Sequence, residues 1–310
     1  MTLLHPPKLR PGDRVAVVSP AGPVTPELLE PGLEQLRTWG LDVDLRGPVY
    51  GEAPERGYLA ASDDRRLESL REVVLDDSVD AVIFSRGGYG TMRLFPELAR
   101  IPFRESPTLL IGFSDLTALH LHVAGQREVA TLHGPVVKSL RLHDRDGRTT
   151  AQLRAALFGD RDQPFALDGL EPIRPGQASG PLLGGNLSLL AHLLDTPYCP
   201  DLSGSVLLIE ETGEEDYRLD RLFTALRLSD SAGDPAAVVL GDFTDCGGAY
   251  VDSDGIAAYV RDLAGEFDCP VVADLPVGHG SRNVPLPMGA EVRVDADAGR
   301  AVFAADAVDG

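Results

Sequence analysis

Cysteine, positive charge and long apolar runs are all scarce in this chain. Its three cysteines, Cys199, Cys246 and Cys269, are odd in number and far apart. They match no disulfide framework and no metal or redox spacing, which predicts a reduced, cytoplasmic setting. Lysine and arginine number 28 against 48 acidic residues, a net charge of −20. No basic run has the density that phosphate backbones or anionic lipids require, which argues against nucleic acid and membrane as partners. No apolar run nears the ~20 residues of a membrane span. The opening residues, Met1-Thr-Leu-Leu-His-Pro-Pro-Lys8, lack the charged and apolar regions of a signal peptide, so none is expected. His120 and His122 stand two apart on a predicted helix and face different ways. With no His-x-x-x-His and no cysteine cluster, no metal site is expected.

What is present is a 43% hydrophobic content over 310 residues. That is ample for real cores, and single cores stop growing near this length, so two domains are expected. Compact apolar runs at 15–19, 41–45, 79–84 and 109–111 predict strands. Helical spacing at 27–39, 65–74, 92–99 and 116–123 predicts helices between and after them. This alternation predicts a mostly parallel sheet flanked by helices over residues 1–142. Residues 143–179, rich in Arg, Asp, Gly, Pro and Gln, read as a connector with one helix at 150–158. Residues 180–310 read as a smaller α/β domain with a mixed sheet, closing in a hairpin of 291–295 against 300–304.

In parallel sheets ligands sit at the carboxyl ends of strands. Three loops are expected to converge there: Ser19-Pro-Ala-Gly22, Arg86-Gly-Gly-Tyr-Gly90 and Gly112-Phe-Ser-Asp115. Ser114 stands at a strand-to-helix turn, the logic of a nucleophile elbow, though a serine there can equally cap the helix. The glycines of the second loop leave backbone N–H groups uncovered, which suits an oxyanion hole or simply a tight turn; the match to phosphate loops is weak. Glu210 ends an apolar strand, while Glu214, Glu215 and Asp216 read as a solvated charge run. His279, between Gly278 and Gly280, is accessible and suited to shuttle a proton near neutral pH. A serine nucleophile needs a base, and the base a carboxylate to orient it. Ser114, His279 and Glu210 can fill those roles, with N–H groups of Gly88 and Asp115 for the oxyanion.

Taken in order, a series of motifs resembles the LD-carboxypeptidase (muramoyltetrapeptide carboxypeptidase) family. They are Val17-Val-Ser-Pro-Ala-Gly22, Ser85-Arg-Gly-Gly-Tyr-Gly90, Ile111-Gly-Phe-Ser-Asp115, His133-Gly-Pro135, Gly184-Gly-Asn186, Ile209-Glu-Glu211, Tyr217-Arg-Leu-Asp-Arg221 and Gly278-His-Gly280. The resemblance runs from about residue 9 to 294. It implies Ser114 as nucleophile on the N-terminal domain, with His279 as general base and Glu210 as its orienting acid on the C-terminal one. It further implies release of D-alanine from cytoplasmic murein tetrapeptides in cell-wall recycling, no metal or organic cofactor, and a homodimer. Phe113 stands where the family often has tyrosine, and Glu211 where it often has aspartate; neither should touch the chemistry. The nearest rival resembles the microcin C immunity peptidases, which cleave a peptidyl-nucleotide with the same triad. It calls for an aromatic-lined site, and the chain has one tryptophan, Trp39. A non-catalytic small-ligand binder and a cysteine enzyme built on Cys246 are further alternatives.

Overall fold

The computed structural model describes residues 2–52, 56–105, 107–141, 144, 146–304, 307 and 308. Strand and helix alternate at first: β1 (Arg14–Val18), α1 (Pro26–Thr38), β2 (Asp42–Leu45), α2 (Asp63–Leu75), β3 (Ala81–Phe84), β4 (Leu109–Gly112), α3 (Thr117–His120) and β5 (Thr131–His133). There follow α4 (Arg148–Phe158), β6 (Phe165–Asp168), β7 (Glu171–Arg174), β8 (Gln177–Asn186), α5 (Leu187–Leu193), β9 (Val206–Thr212) and α6 (Asp216–Leu228). The chain closes with β10 (Ala237–Thr244), α7 (Ile256–Gly265), β11 (Val271–Ala273), β12 (Leu286–Met288), β13 (Glu291–Asp295) and β14 (Arg300–Phe303).

These form two α/β domains. The first sheet has the order β12-β5-β4-β3-β1-β2. Its strands run parallel except β12, which lies antiparallel against β5. β3, β4 and β5 are buried throughout, as strands covered on both faces must be; β3 and β4 carry unbroken apolar runs, whereas β5 buries Thr131 and His133 beside Leu132. The second sheet, β6-β14-β13-β8-β9-β10-β11-β7, is mixed: β8 to β11 are parallel and the outer strands antiparallel.

That sheet is the larger of the two because residues 143–179 supply β6, β7 and part of β8. A connector is therefore an incomplete reading of this stretch. β6 and β7 are the edge strands, half covered at best, and their apolar residues are few: Phe165-Ala-Leu167 in β6 and Ile173 in β7. The expected boundary between residues 142 and 143 falls outside the described residues, as do the chain ends at 1 and 310.

Two predicted helices take other forms. Residues 92–99 are two 3₁₀ turns, Thr91–Leu94 and Glu97–Arg100, parted where Pro96 removes a donor and disfavours helix at Phe95. Residues 116–123 are expected to be amphipathic but are buried on all sides. Here α3 passes into a π-helical turn, Leu121–Gln126. Leu116, Leu119 and Val123 pack into a core of the first domain, while Ala118, Leu121 and Ala124 join the core of the second. With a core on either side, the segment has no solvent face to mark its period.

Candidate active site

Ser114 stands just past β4, after Phe113, with φ at +66°. A left-handed backbone at a residue with a Cβ costs about 1–3 kcal/mol and persists only where surroundings enforce it. Ser114 is the first residue of a 3₁₀ turn whose N-cap is Phe113, so the serine side chain is not the cap. Its Oγ lies 3.1 Å from His279 Nε2 instead. The other ring nitrogen, Nδ1, is 2.7 Å from Glu210 Oε2. Glu210 is fully buried in β9, opposite Asn186 of β8.

His279 sits on the loop between β11 and β12. The pairing of Leu286 with His133 lays that loop against the first sheet, beside β4, which ends two residues before Ser114. Gly278, at φ +130°, and Gly280 flank the ring, and a side chain at either would crowd a carboxylate. A Cβ on Gly278 would stand 3.0 Å from Glu210 Oε2, and one on Gly280 2.3 Å from Asp242 Oδ2. Asp242 also accepts the Gly280 N–H at 3.2 Å.

Opposing forces act on the imidazole. Burial pulls it towards the neutral form. The hydrogen bond that Nδ1–H donates to Glu210 and the charges of Glu210, Glu211 and Asp242 outweigh this, so its pKa is raised above the ordinary 6.5. Burial likewise pushes the Asp242 carboxyl up to about 6, against the Gly280 N–H, which lowers it. Glu211 points the other way. It accepts hydrogen bonds from Asn186 Nδ2 (2.7 Å) and from the Ser188 and Thr212 N–H groups (2.8 Å each), tying β9 to the start of α5.

The three loops do meet. Buried Arg66 donates to the carbonyls of Pro20 and of Gly90, the latter at 3.0 Å. Ser19 and Ser85 share a hydroxyl hydrogen bond. The buried Asp115 side chain accepts the Thr91 N–H at 2.8 Å, and burial raises its pKa. Gly87 lies so near the nucleophile position that a Cβ there would be 2.9 Å from Ser114 Cβ. Ser114, His279 and Gly88 line one cleft of about 230 Å³ with Arg86, Phe113 and Lys138. Asp115 directly follows Ser114, its side chain turned away from the cleft into the core. A serine poised beside a carboxylate-held imidazole can be deprotonated as it attacks an acyl carbon.

Other predicted features lie elsewhere. His120 is held by Thr131 Oγ1 and the Gly112 carbonyl, His122 by Gln126. Among the described residues no group of three or more potential ligands could hold a metal ion. Cys246 is buried, which pushes its thiol up to about 11 and leaves it a poor nucleophile. Asp216 corrects the reading of a solvated charge run: it is buried and accepts the N–H groups of Tyr217, Tyr250 and Val251. Sequence reasoning passed over Asp242, although it comes after the apolar run of β10 as Glu210 comes after that of β9. Among the described residues no helix is long and apolar enough to cross a membrane.

Two family models match the chain, the LD-carboxypeptidase N-terminal domain over residues 15–134 and the LD-carboxypeptidase C-terminal domain over 179–294. A relative in Streptomyces coelicolor, provisionally named a carboxypeptidase, is 38% identical over 96% of this chain and 95% of its own. The murein tetrapeptide carboxypeptidase of Pseudomonas aeruginosa is 34% identical, over 89% of this chain and 91% of its own. Among solved structures, the muramoyltetrapeptide carboxypeptidase of Oxalobacter formigenes superposes with a TM-score of 0.79 at 27% identity, covering 94% of this chain and 97% of its own. The microcin C7 self immunity protein MccF, bound to aspartyl sulfamoyl adenosine, reaches a TM-score of 0.86 over 99% of this chain and all of its own. At 18% identity that likeness shows the fold alone.

Proposed function

The chain belongs to the LD-carboxypeptidase family, and we propose that it is a serine peptidase releasing terminal D-alanine from cytoplasmic murein tetrapeptides during peptidoglycan recycling. The observation that carries this reading is the chain of contacts from the strained Ser114 through His279 to the buried Glu210. Ser114 Oγ attacks the carbonyl carbon of the L-diamino acid, and His279 Nε2 takes its proton. Glu210 holds Nδ1–H in place and offsets the charge of the imidazolium. The oxyanion is received by the N–H groups of Gly88 and Asp115. Collapse of the tetrahedral intermediate passes the proton to the leaving nitrogen of D-alanine, and water then hydrolyses the acyl-enzyme by the same base. The residues divide between an N-terminal domain, 1–142, and a C-terminal one, 180–310, joined through 143–179. The same reading implies a homodimer working without metal or cofactor.

The test is D-alanine release from L-Ala-γ-D-Glu-L-Lys-D-Ala and its diaminopimelate counterpart, wild type beside Ser114→Ala. A loss on the order of 10³-fold or more in the variant is expected. A fluorophosphonate should label Ser114, which a non-catalytic binder would not permit. Release from neither peptide, with cleavage of a peptidyl-adenylate analogue, would transfer the assignment to the microcin-type reading. That reading is disfavoured because, among the described residues, Phe113 and His279 are the only rings lining the cleft.

A further inference from the structure

The cleft contains two cations that the proposed triad leaves unused. Arg86 and Lys138 line it beside Ser114 and His279, both part-buried. The Arg86 guanidinium is fixed by the carbonyls of Gly87 (3.1 Å) and Pro23 (3.0 Å). Among the described residues neither Arg86 nor Lys138 is within ion-pair distance of a carboxylate. Acidic groups are not in short supply in a chain of net charge −20. Asp144 lines the cleft too, but its oxygens accept the N–H groups of Thr149 (3.3 Å) and Thr150 (2.6 Å) at the start of α4. Burial, and then the charge of Arg86, hold the Lys138 ammonium below its usual range. Two like charges brought together in a part-buried wall are unfavourable unless an anion is shared between them.

We propose that Arg86 and Lys138 bind the C-terminal carboxylate of the peptide substrate and so restrict cleavage to the last residue. This rests on the peptidase reading above and gives it a basis for exopeptidase selectivity. In such a substrate the carboxylate lies one residue beyond the scissile carbonyl, about 3.8 Å along the chain from Cα to Cα. Cations in the wall that holds the nucleophile are where that group would fall. A carboxylate has two oxygens to share between a fixed fork and a mobile ammonium. The cleft, at about 230 Å³, is smaller than the roughly 300–1,000 Å³ typical for drug-sized ligands. It suits one small terminal residue better than a nucleotide.

Lys138 is the cleaner probe, because Arg86 also braces two loops. Hydrolysis of the tetrapeptide ending in D-alanine is compared with that of the same peptide ending in D-alaninamide. Wild type should favour the free acid roughly 10- to 100-fold in kcat/KM, the range of a charge-assisted hydrogen bond. Lys138→Met should reduce kcat/KM on the acid about tenfold or more, chiefly through KM, and shrink the acid-to-amide ratio. Lys138→Arg should keep most of that ratio. An equal ratio in wild type and Lys138→Met would overturn the proposal. Calorimetric binding of the acid peptide to Ser114→Ala, with and without Lys138→Met, decides the matter without turnover: a tenfold weakening supports the anchor and equal affinity refutes it. Fluorophosphonate labelling of Ser114 reports on the peptidase reading separately, so the failure of one is distinguishable from the failure of the other.

Discussion

At the scale of single residues, the proposed mechanism makes the pH range depend on the balance of forces on His279. To accept the Ser114 proton the imidazole must be neutral. Its raised pKa therefore places the acid limb of kcat/KM above pH 6.5, with activity rising as pH rises through it. Asp242→Asn removes one of the raising charges while leaving an oxygen for the Gly280 N–H. The limb should move to lower pH, and an unmoved limb would count against electrostatic control by Asp242. Gly280→Ala would set a Cβ 2.3 Å from Asp242 Oδ2 and displace the histidine loop. A loss of about 10²-fold in kcat is expected, in keeping with the cost of moving a catalytic group by about 1 Å. Stopped assays with saturating peptide would measure it, and near wild-type turnover would mean the loop can yield. The candidates Ser114, Glu210 and His279 were legible from local context alone: a strand-to-helix turn, a strand-end acid, a histidine between glycines. Lys138 was not, since nothing beside it in sequence shows that it lines the cleft, and Asp242, although it follows an apolar run as Glu210 does, shows nothing locally of its closeness to the His279 loop.

At the scale of elements, the segment from Ser114 to Gln126 joins the two domains. It packs into both cores, and Thr117 meets the end of β8 through its Oγ1, 2.9 Å from the Asn186 N–H. Gly185 makes that approach possible. Its φ is +135°, and a Cβ there would stand 2.5 Å from Thr117 Oγ1. Gly185→Ala should therefore cost about 1–3 kcal/mol, read as a lower denaturant midpoint, with activity falling in the fraction that folds. An unchanged midpoint would show that the joint tolerates a wider gap. The interior strands β1, β3 and β4 were readable because burial on both faces favours continuous apolar runs; β5, Thr131-Leu-His133, was not, because its buried side chains include two polar ones. β6 and β7 were not, because edge strands are released from that demand.

At the scale of the whole molecule, the proposed site draws on both domains, and β12 brings its parts together. This short strand leaves the C-terminal half of the chain to pair with β5, carrying the His279 loop across to Ser114. Residues 1–142 expressed alone lack β12, Glu210 and His279, and they leave the β5 edge unpaired. Such a fragment should fail to react with a fluorophosphonate above the denatured background and should tend to aggregate. Labelling at the rate of the intact chain would refute a shared site.

By itself the sequence determined the class of fold, the alternation that builds the first sheet, and the residue types able to perform serine hydrolysis. These follow from periodicity, turn chemistry and charge, all properties of neighbours along the chain. Only the tertiary structure decided that β12 crosses between sheets, that Asp242 faces His279, and that two cations share the cleft with Ser114. Those pairings join residues far apart in sequence, where packing, close backbone approach and shared burial select the partner and no local pattern records it.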